Sequence, residues 1–270
     1  MTLLVRSAVG VVLAIGVAYG ARRARALSGD GAAAAAIIGS LAVAAGWSWA
    51  ALLVIYFVPA ALLSRVGRDR RDARIAGIVA KSGARDARQV LANGGVFALA
   101  ALASIVLPWP GWSVVGAGAL AASAADSWAT EVGTLAGGTP RSIASLEPVP
   151  PGLSGGVTAP GTAAAIAGAL FMALAAWALG WPRAAAAGVF VGGIAGSFAD
   201  SVAGATLQER RRCDECGERT ERMVHSCGME TRYTSGVAWL DNDGVNVLCT
   251  LAGAVAAVVA APLLAASVAR

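Results

Sequence analysis

The chain has 270 residues, 57% of them hydrophobic and only 14% charged, and its mean hydropathy is +0.67. A soluble domain carries about 25% charged residues, so this composition excludes a water-soluble globular protein and leaves an integral membrane protein with little soluble mass. The formal net charge of +5 resides in loops that lack interleaved aromatic residues and any binding-module pattern, so no nucleic-acid partner is expected.

Apolar runs lie near residues 3–20, 31–45, 47–64, 94–107, 111–125, 160–180, 184–207 and 244–268. They predict an all-α, polytopic membrane helical bundle of about eight transmembrane helices, forming a single integral membrane domain over residues 1–270. The second, fourth and fifth runs are short for a span of about 20 residues. Either neighbouring polar residues extend them or one pair is re-entrant. Eighteen of the 21 basic residues fall in loops that share one side if the N-terminus is outside, leaving Arg6, Arg183 and Arg270 on the other. This bias predicts a multi-pass cell-membrane protein with the basic loops in the cytoplasm. The first run reads as a retained span, since no small-residue cleavage site follows it.

Taken in order, the first run ends in Arg22, Arg23 and Arg25, ordinary inner-side anchors. Asp30 then either caps the second helix or belongs to a site. Residues 65–71 read as a solvated or lipid-facing charge run. The segment 81–95 is more specific. Lys81 is the only lysine among the 21 basic residues, and a compact ammonium suits a phosphate as a point charge, whereas arginine offers a planar fork. The competing reading is a lone surface lysine.

Asp126 and Glu131 stand where the fifth run ends. The Gly-rich segment 152–158 follows, just before the sixth run. Carboxylates at a membrane edge, facing a flexible loop rich in N–H and hydroxyl donors, predict a magnesium and phosphate site. The bland alternative is a polar loop whose glycines only turn the chain. Asp200 lies inside the seventh run, about two turns from its inner end. A charge at a helix centre costs roughly 2.5–3.5 kcal/mol on insertion scales, so Asp200 is expected to face a cavity and a partner. A cation shared with Asp126 meets both needs; a protonated Asp hydrogen-bonded between helices is the alternative. Ser123–Ala129 and Ser197–Ala203 also share the pattern Ser-x-x-Asp-Ser-x-Ala, a weak echo of an internal duplication.

The last inner loop, residues 208–240, holds Cys213, Cys216, His225 and Cys227. The spacing Cys-x2-Cys-x8-His-x-Cys gathers three of the four cysteines and the single histidine. That concentration predicts a tetrahedral structural zinc site; unrelated thiols or a disulfide are the alternatives, the latter disfavoured in a reducing compartment. Cys249 reads as a small core residue. Asp241, Asn242, Asp243 and Asn246 cluster where the last span begins, as helix caps or as oxygen ligands and nucleotide contacts.

With these motifs assembled, the chain resembles the phytyl-phosphate kinase family of plastids and its prokaryotic and animal relatives. The resemblance rests on the 81–86 and 89–95 segments, on 125–131, on Gly155–Thr158 with Gly161 and Thr162, on Asp200–Ser201 with 204–208, on the Cys/His set and on Asn242–Asn246. This chain has Ser127 and Thr130 where the family pattern is expected to have Thr and Ser. A more distant similarity reaches dolichol kinases and CDP-diacylglycerol synthases. The resemblance implies a magnesium-dependent prenyl-phosphate kinase that moves a phosphoryl group from a nucleoside triphosphate, with CTP favoured, to an isoprenoid monophosphate at the cytoplasmic face. Asp126, Glu131 and Asp200 are then assigned to magnesium, and Lys81 and Arg85 to phosphates. The nucleotide is assigned to Gly155, Gly156, Thr158, Thr162, Asn93, Asn242, Asp243 and Asn246. The alternatives are a CDP-lipid-forming cytidylyltransferase and a lipid or polyprenyl-phosphate transporter; self-association stays open. No Walker-type glycine-lysine loop is present, so a soluble P-loop kinase is not the expected form.

Overall fold

A computed structural model describes residues 2–81 and 83–268; Ser82 of the 81–86 segment and Arg270 of the outer side lie outside it. Among the described residues the helices are α1 (Leu3–Arg23), α2 (Gly29–Ala45), α3 (Trp47–Leu63), α4 (Arg68–Ile75), α5 (Ala87–Val106), α6 (Trp112–Ala136), α7 (Ala159–Ala178), α8 (Arg183–Thr206) and α9 (Asn242–Val268). All but α4 fall on the eight expected apolar runs. Polar residues do extend the fourth and fifth runs, giving α5 20 residues and α6 25.

Five helices, α1, α5, α7, α8 and α9, are long and apolar enough to cross a membrane, and α3 with α4 passes as a sixth, broken span bent by 76°. α2 is apolar but only 17 residues long. α6 is long enough but carries Asp126, Glu131 and several hydroxyls, and falls outside that set. The expected number of about eight spans is therefore matched in long helices, while five or six qualify by length and composition.

α6 is the axis of the bundle. Every residue from Gly116 to Ala125 is buried, against α3, α5, α7, α8 and α9. Leu52 and Tyr56 of α3, Phe97 of α5, Leu120 of α6, Met172 of α7 and Val189 of α8 share one core cluster. Large apolar side chains point outward from most helices, among them Val12, Ile37, Leu99, Phe198 and Val255, as lipid-facing surfaces do.

Lipid offers no hydrophobic force to press helices together, so close packing depends on small residues. A Cβ on Gly196 would stand 2.3 Å from the Cβ of Ala122; glycine is what lets α8 touch α6 there. Asp126 and Asp200 each follow that contact by four residues, one turn further along the same faces. The packing of two small residues thus brings two carboxylates together.

The all-α expectation left out two small sheets. β1 (Arg141–Ser142) and β2 (Gly156–Val157) pair antiparallel in the α6–α7 loop, and β3 (Arg210–Arg212) lies between β4 (Arg219–Thr220) and β5 (Arg232–Ser235), antiparallel to both, in the α8–α9 loop. The polar segments all meet at one end of the bundle. Thr220 Oγ1 donates to Gly77 O at 2.8 Å, Arg210 to Ser154 O at 2.9 Å, and Lys81 to Asp243 at 2.6 Å.

Candidate functional site

At that end a cavity of about 460 Å³ opens between α3, α4, α5, α6, α7, α8, the start of α9 and the intervening loops. Of the residues singled out from the sequence, Lys81, Arg85, Asn93, Asp126, Glu131, Asp200, Gly155, Gly156, Thr158, Thr162, Asn242 and Asn246 all line it. Five sequence segments up to 165 residues apart are thereby one site.

The carboxylates do not act as one set. Asp126 and Asp200 are close enough to interact directly, and Asp200 Oδ2 is buried without a hydrogen-bond partner among the described residues. An unpaired buried carboxylate oxygen is costly and marks where a ligand fits. Glu131 departs from the expected magnesium set. Its carboxylate is bonded to the Arg71 guanidinium, and both side chains are largely buried. Arg71 in turn corrects the reading of 65–71 as a solvated run: it is buried, and its second terminal nitrogen donates to Ser64 O at 3.0 Å. The reason is the α3–α4 bend, which turns Arg68, Arg71, Asp72 and Ile75, one face of a helix at i, i+3, i+4 and i+7, into the cavity.

Lys81 is not a free point charge. Its ammonium lies 2.8 Å from Asp86 and 2.6 Å from Asp243. Burial works against the charge, but the bonds from Asp243 and Asp86 outweigh it and hold its pKa above the ordinary lysine value. Asp243, assigned from the sequence to the nucleotide, is the buried partner in this pair and does not itself line the cavity. Asp241 caps α9 by accepting from Gly244 N and pairs with Arg88 at 2.8 Å. Asp30 braces a neighbour: it accepts from Ala87 N at the start of α5.

The Gly-rich turn is built by packing as much as by donors. Gly155 has φ +80°, and a Cβ there would lie 2.4 Å from Ala205 N of α8. Gly156 N is spent on Leu153 O and Ser154 N on Glu221. Thr158 caps α7 by accepting from Gly161 N. Asn93 belongs to a buried polar chain, with its Oδ1 accepting from Ser123 Oγ at 2.7 Å and that hydroxyl 2.8 Å from Tyr56 OH.

Sequence reasoning missed Arg68, Arg71 and Glu221. The i, i+3 spacing on α4 carried a signal for the two arginines. Glu221 carried none, because it sits among other charges in a polar loop. Its neighbours Thr220 and Arg222 bond to Gly77 O and Ala76 O, while its own carboxylate reaches Ser154 N at 3.0 Å and faces the cavity. Burial pushes the Glu221 carboxyl above its ordinary range, opposed by the Ser154 and Arg210 groups.

The Cys/His residues fit a metal. The ligand atoms of Cys213, Cys216, His225 and Cys227 lie within 4.8 Å of one another. Cys213 and Cys227 sulfurs are 3.6 Å apart, and His225 Nδ1 is 3.3 Å from Cys227 Sγ. A tetrahedral zinc with bonds of about 2.3 Å to sulfur and 2.0 Å to nitrogen needs donor separations of about 3.5–3.8 Å. His225 Nε2, on the far side, lies 3.3 Å from a Glu218 carboxylate oxygen without a hydrogen bond among the described residues, a carboxylate within reach of the outer nitrogen of a ligating imidazole. The crowding polarises the thiols: His225 draws Cys227 down to about 6, and neighbouring Cys227 pushes Cys216 up to about 12. Cys249 is buried in α9, apart from this cluster.

The sequence profile of the integral membrane protein DUF92 family matches residues 12–254. The chain is 28% identical over 269 residues to Protein PGR of Arabidopsis thaliana, covering 89% of this chain and 91% of that one. It is 30% identical over 213 residues to an uncharacterized membrane protein of Methanocaldococcus jannaschii, covering 78% and 87%. It is also 32% identical over 174 residues to one from Synechocystis, covering 62% and 66%. No solved structure matches. The chain belongs to the DUF92 family of integral membrane proteins.

Proposed function

We propose that this DUF92 protein is a membrane phosphotransferase that moves a phosphoryl group from a nucleoside triphosphate, CTP in the first instance, to the monophosphate of an isoprenoid lipid. The observation that carries the reading is the Asp126–Asp200 pair, with its orphan Oδ2, in a cavity whose other walls hold arginines and a hydroxyl- and amide-rich turn. Mg2+ would be held by Asp126 and Asp200, with phosphate oxygens and water completing its shell, and when bound it would neutralise phosphate charge. Glu131 is not part of that set.

Phosphoryl transfer needs mainly alignment and charge neutralisation. An oxygen of the lipid phosphate, already deprotonated near neutral pH, forms the new bond to the terminal phosphorus of the nucleotide. The bridging P–O bond breaks, and its electron pair leaves on the nucleoside diphosphate. No side chain has to remove a proton. The Asp86, Asp243 and Lys81 group holds α5 and α9 together beside the cavity. The bias of basic loops supports a cytoplasmic position for this end, in which the thiols of the Cys/His lobe would stay reduced.

The test is purified protein with a prenyl monophosphate, CTP and magnesium, analysed by mass spectrometry. Prenyl diphosphate with CDP is expected. A CDP-lipid with released diphosphate would make the protein a cytidylyltransferase, and no product from any nucleotide would reject the enzyme reading.

A further inference from the structure

The charged walls of the cavity differ. On the α8 side lie Asp126, Asp200 and the Gly-rich turn seated on Ala205. On the α3–α4 side lie Arg68, Arg71 and Arg85. Arg71 is immobilised by Glu131 and Ser64 O. Arg68 Nε donates to Ser64 O at 3.4 Å, and both Arg68 and Arg85 are within electrostatic reach of Arg71. The backbone of Arg85 is pinned by Arg85 N to Ala26 O and Ser28 N to Arg85 O. Among the described residues no hydrogen bond or ion pair engages the Arg85 side chain or the terminal nitrogens of Arg68. Three arginines thus line this wall; Glu131 and Asp72 both pair with Arg71, which leaves Arg68 and Arg85 without a carboxylate partner among the described residues. Like charges gathered in a partly buried space call for an anion.

What lies beneath them indicates which anion. Phe57 and Ala61 of α3 and its C-cap Ser64, at i, i+4 and i+7, line the cavity below the arginines. That is a track about 10 Å long at 1.5 Å per residue, running from the polar end into the apolar part of the bundle. A nucleotide has no use for such a track; a phosphate on an alkyl chain does. Lys81 cannot take this role, because Asp86 and Asp243 already hold it.

We propose that the α3–α4 elbow is the lipid-phosphate subsite: Arg68 and Arg85, with Arg71 fixed beside them by Glu131 and Ser64 O, bind the phosphate monoester of a single-chain lipid whose first carbons lie along Phe57 and Ala61, and the Asp126–Asp200 side is left to the nucleotide. The division rests on the phosphotransfer reading only for the identity of the second ligand.

The experiment measures binding, not turnover. Full-length protein in detergent is titrated with farnesyl monophosphate, farnesol, inorganic phosphate and magnesium–CTP. Farnesyl monophosphate should bind at least about tenfold more tightly than farnesol or inorganic phosphate. Arg68→Gln and Arg85→Gln should each weaken it about tenfold, the loss of one charge-assisted bond, and leave magnesium–CTP binding unchanged. Phe57→Ala should weaken the lipid phosphate and leave inorganic phosphate alone. A thermal midpoint like that of the unsubstituted protein shows that each variant is folded. Equal binding of farnesol would show that the arginines do not read the phosphate, and equal binding of inorganic phosphate would remove the lipid track. Loss of magnesium–CTP binding in the Arg68 or Arg85 variants would reverse the assignment of the walls. Arginine-dependent lipid-phosphate binding without turnover would keep this subsite and reject the phosphotransfer.

Discussion

Asp126 on α6 and Asp200 on α8 face each other one helical turn beyond the point where Ala122 and Gly196 let their helices touch. The pairing is a product of helix packing. It leaves Asp200 Oδ2 buried with no hydrogen-bond partner among the described residues, a cost that the proposed cation would offset.

Asp200→Asn keeps the shape and removes the charge. Turnover and magnesium affinity should be lost, while the thermal midpoint in detergent stays level or rises, because a buried charge has been removed. Full activity at low magnesium would make Asp200 an interhelical hydrogen-bonder only.

Arg71 and Glu131 form a buried pair, and breaking such a pair from one side strands the other charge. Glu131→Gln should destabilise the protein by about 3 kcal/mol without shifting the magnesium dependence of the reaction. A raised magnesium requirement at unchanged stability would restore Glu131 to the metal set.

The Cys/His lobe should hold about one zinc per chain, measured by elemental analysis, and lose it in Cys213→Ser or His225→Ala. Binding energy of a structural zinc is folding energy, so both variants should show a lower thermal midpoint. Thr220, Glu221 and Arg222 stitch the lobe to Gly77, Ser154 and Ala76, so faster proteolysis near residues 76–80 and 152–156 should accompany the loss. Metal-free protein with four freely reactive thiols would contradict the assignment.

Glu221 gives a pH test. Its carboxyl is pushed above the ordinary value of 4.5 by burial, so the folded state holds the proton more tightly than the unfolded chain. The stability it contributes is present below about 4.5 and is lost as pH rises through the higher folded value. In magnesium-free buffer that leaves the Cys/His lobe loaded, the thermal midpoint should therefore fall over that interval more steeply in the natural protein than in Glu221→Gln. Parallel profiles would show that Glu221 titrates normally.

The sequence by itself determined the helices. Long apolar runs without the alternation of barrel strands have no stable alternative to a helix in a bilayer, where each backbone group must find a partner within the protein. The same local logic exposed Asp200, because an acidic residue in an apolar run is conspicuous, and the Cys/His set, because its spacing is short. What only the tertiary structure decided is which charges remain available. Glu131 and Asp126 look alike in sequence, five residues apart on one helix, yet the α3–α4 bend delivers Arg71 to Glu131 while Gly196 delivers Asp200 to Asp126. Lys81 stands alone in composition but is claimed by Asp243, 162 residues away. Glu221 reaches the cavity only because the lobe is bound to α4 and the Gly-rich turn. Electrostatic partners are set by distances of a few ångströms between segments far apart in the chain, and local sequence carries no record of those distances until the helices pack.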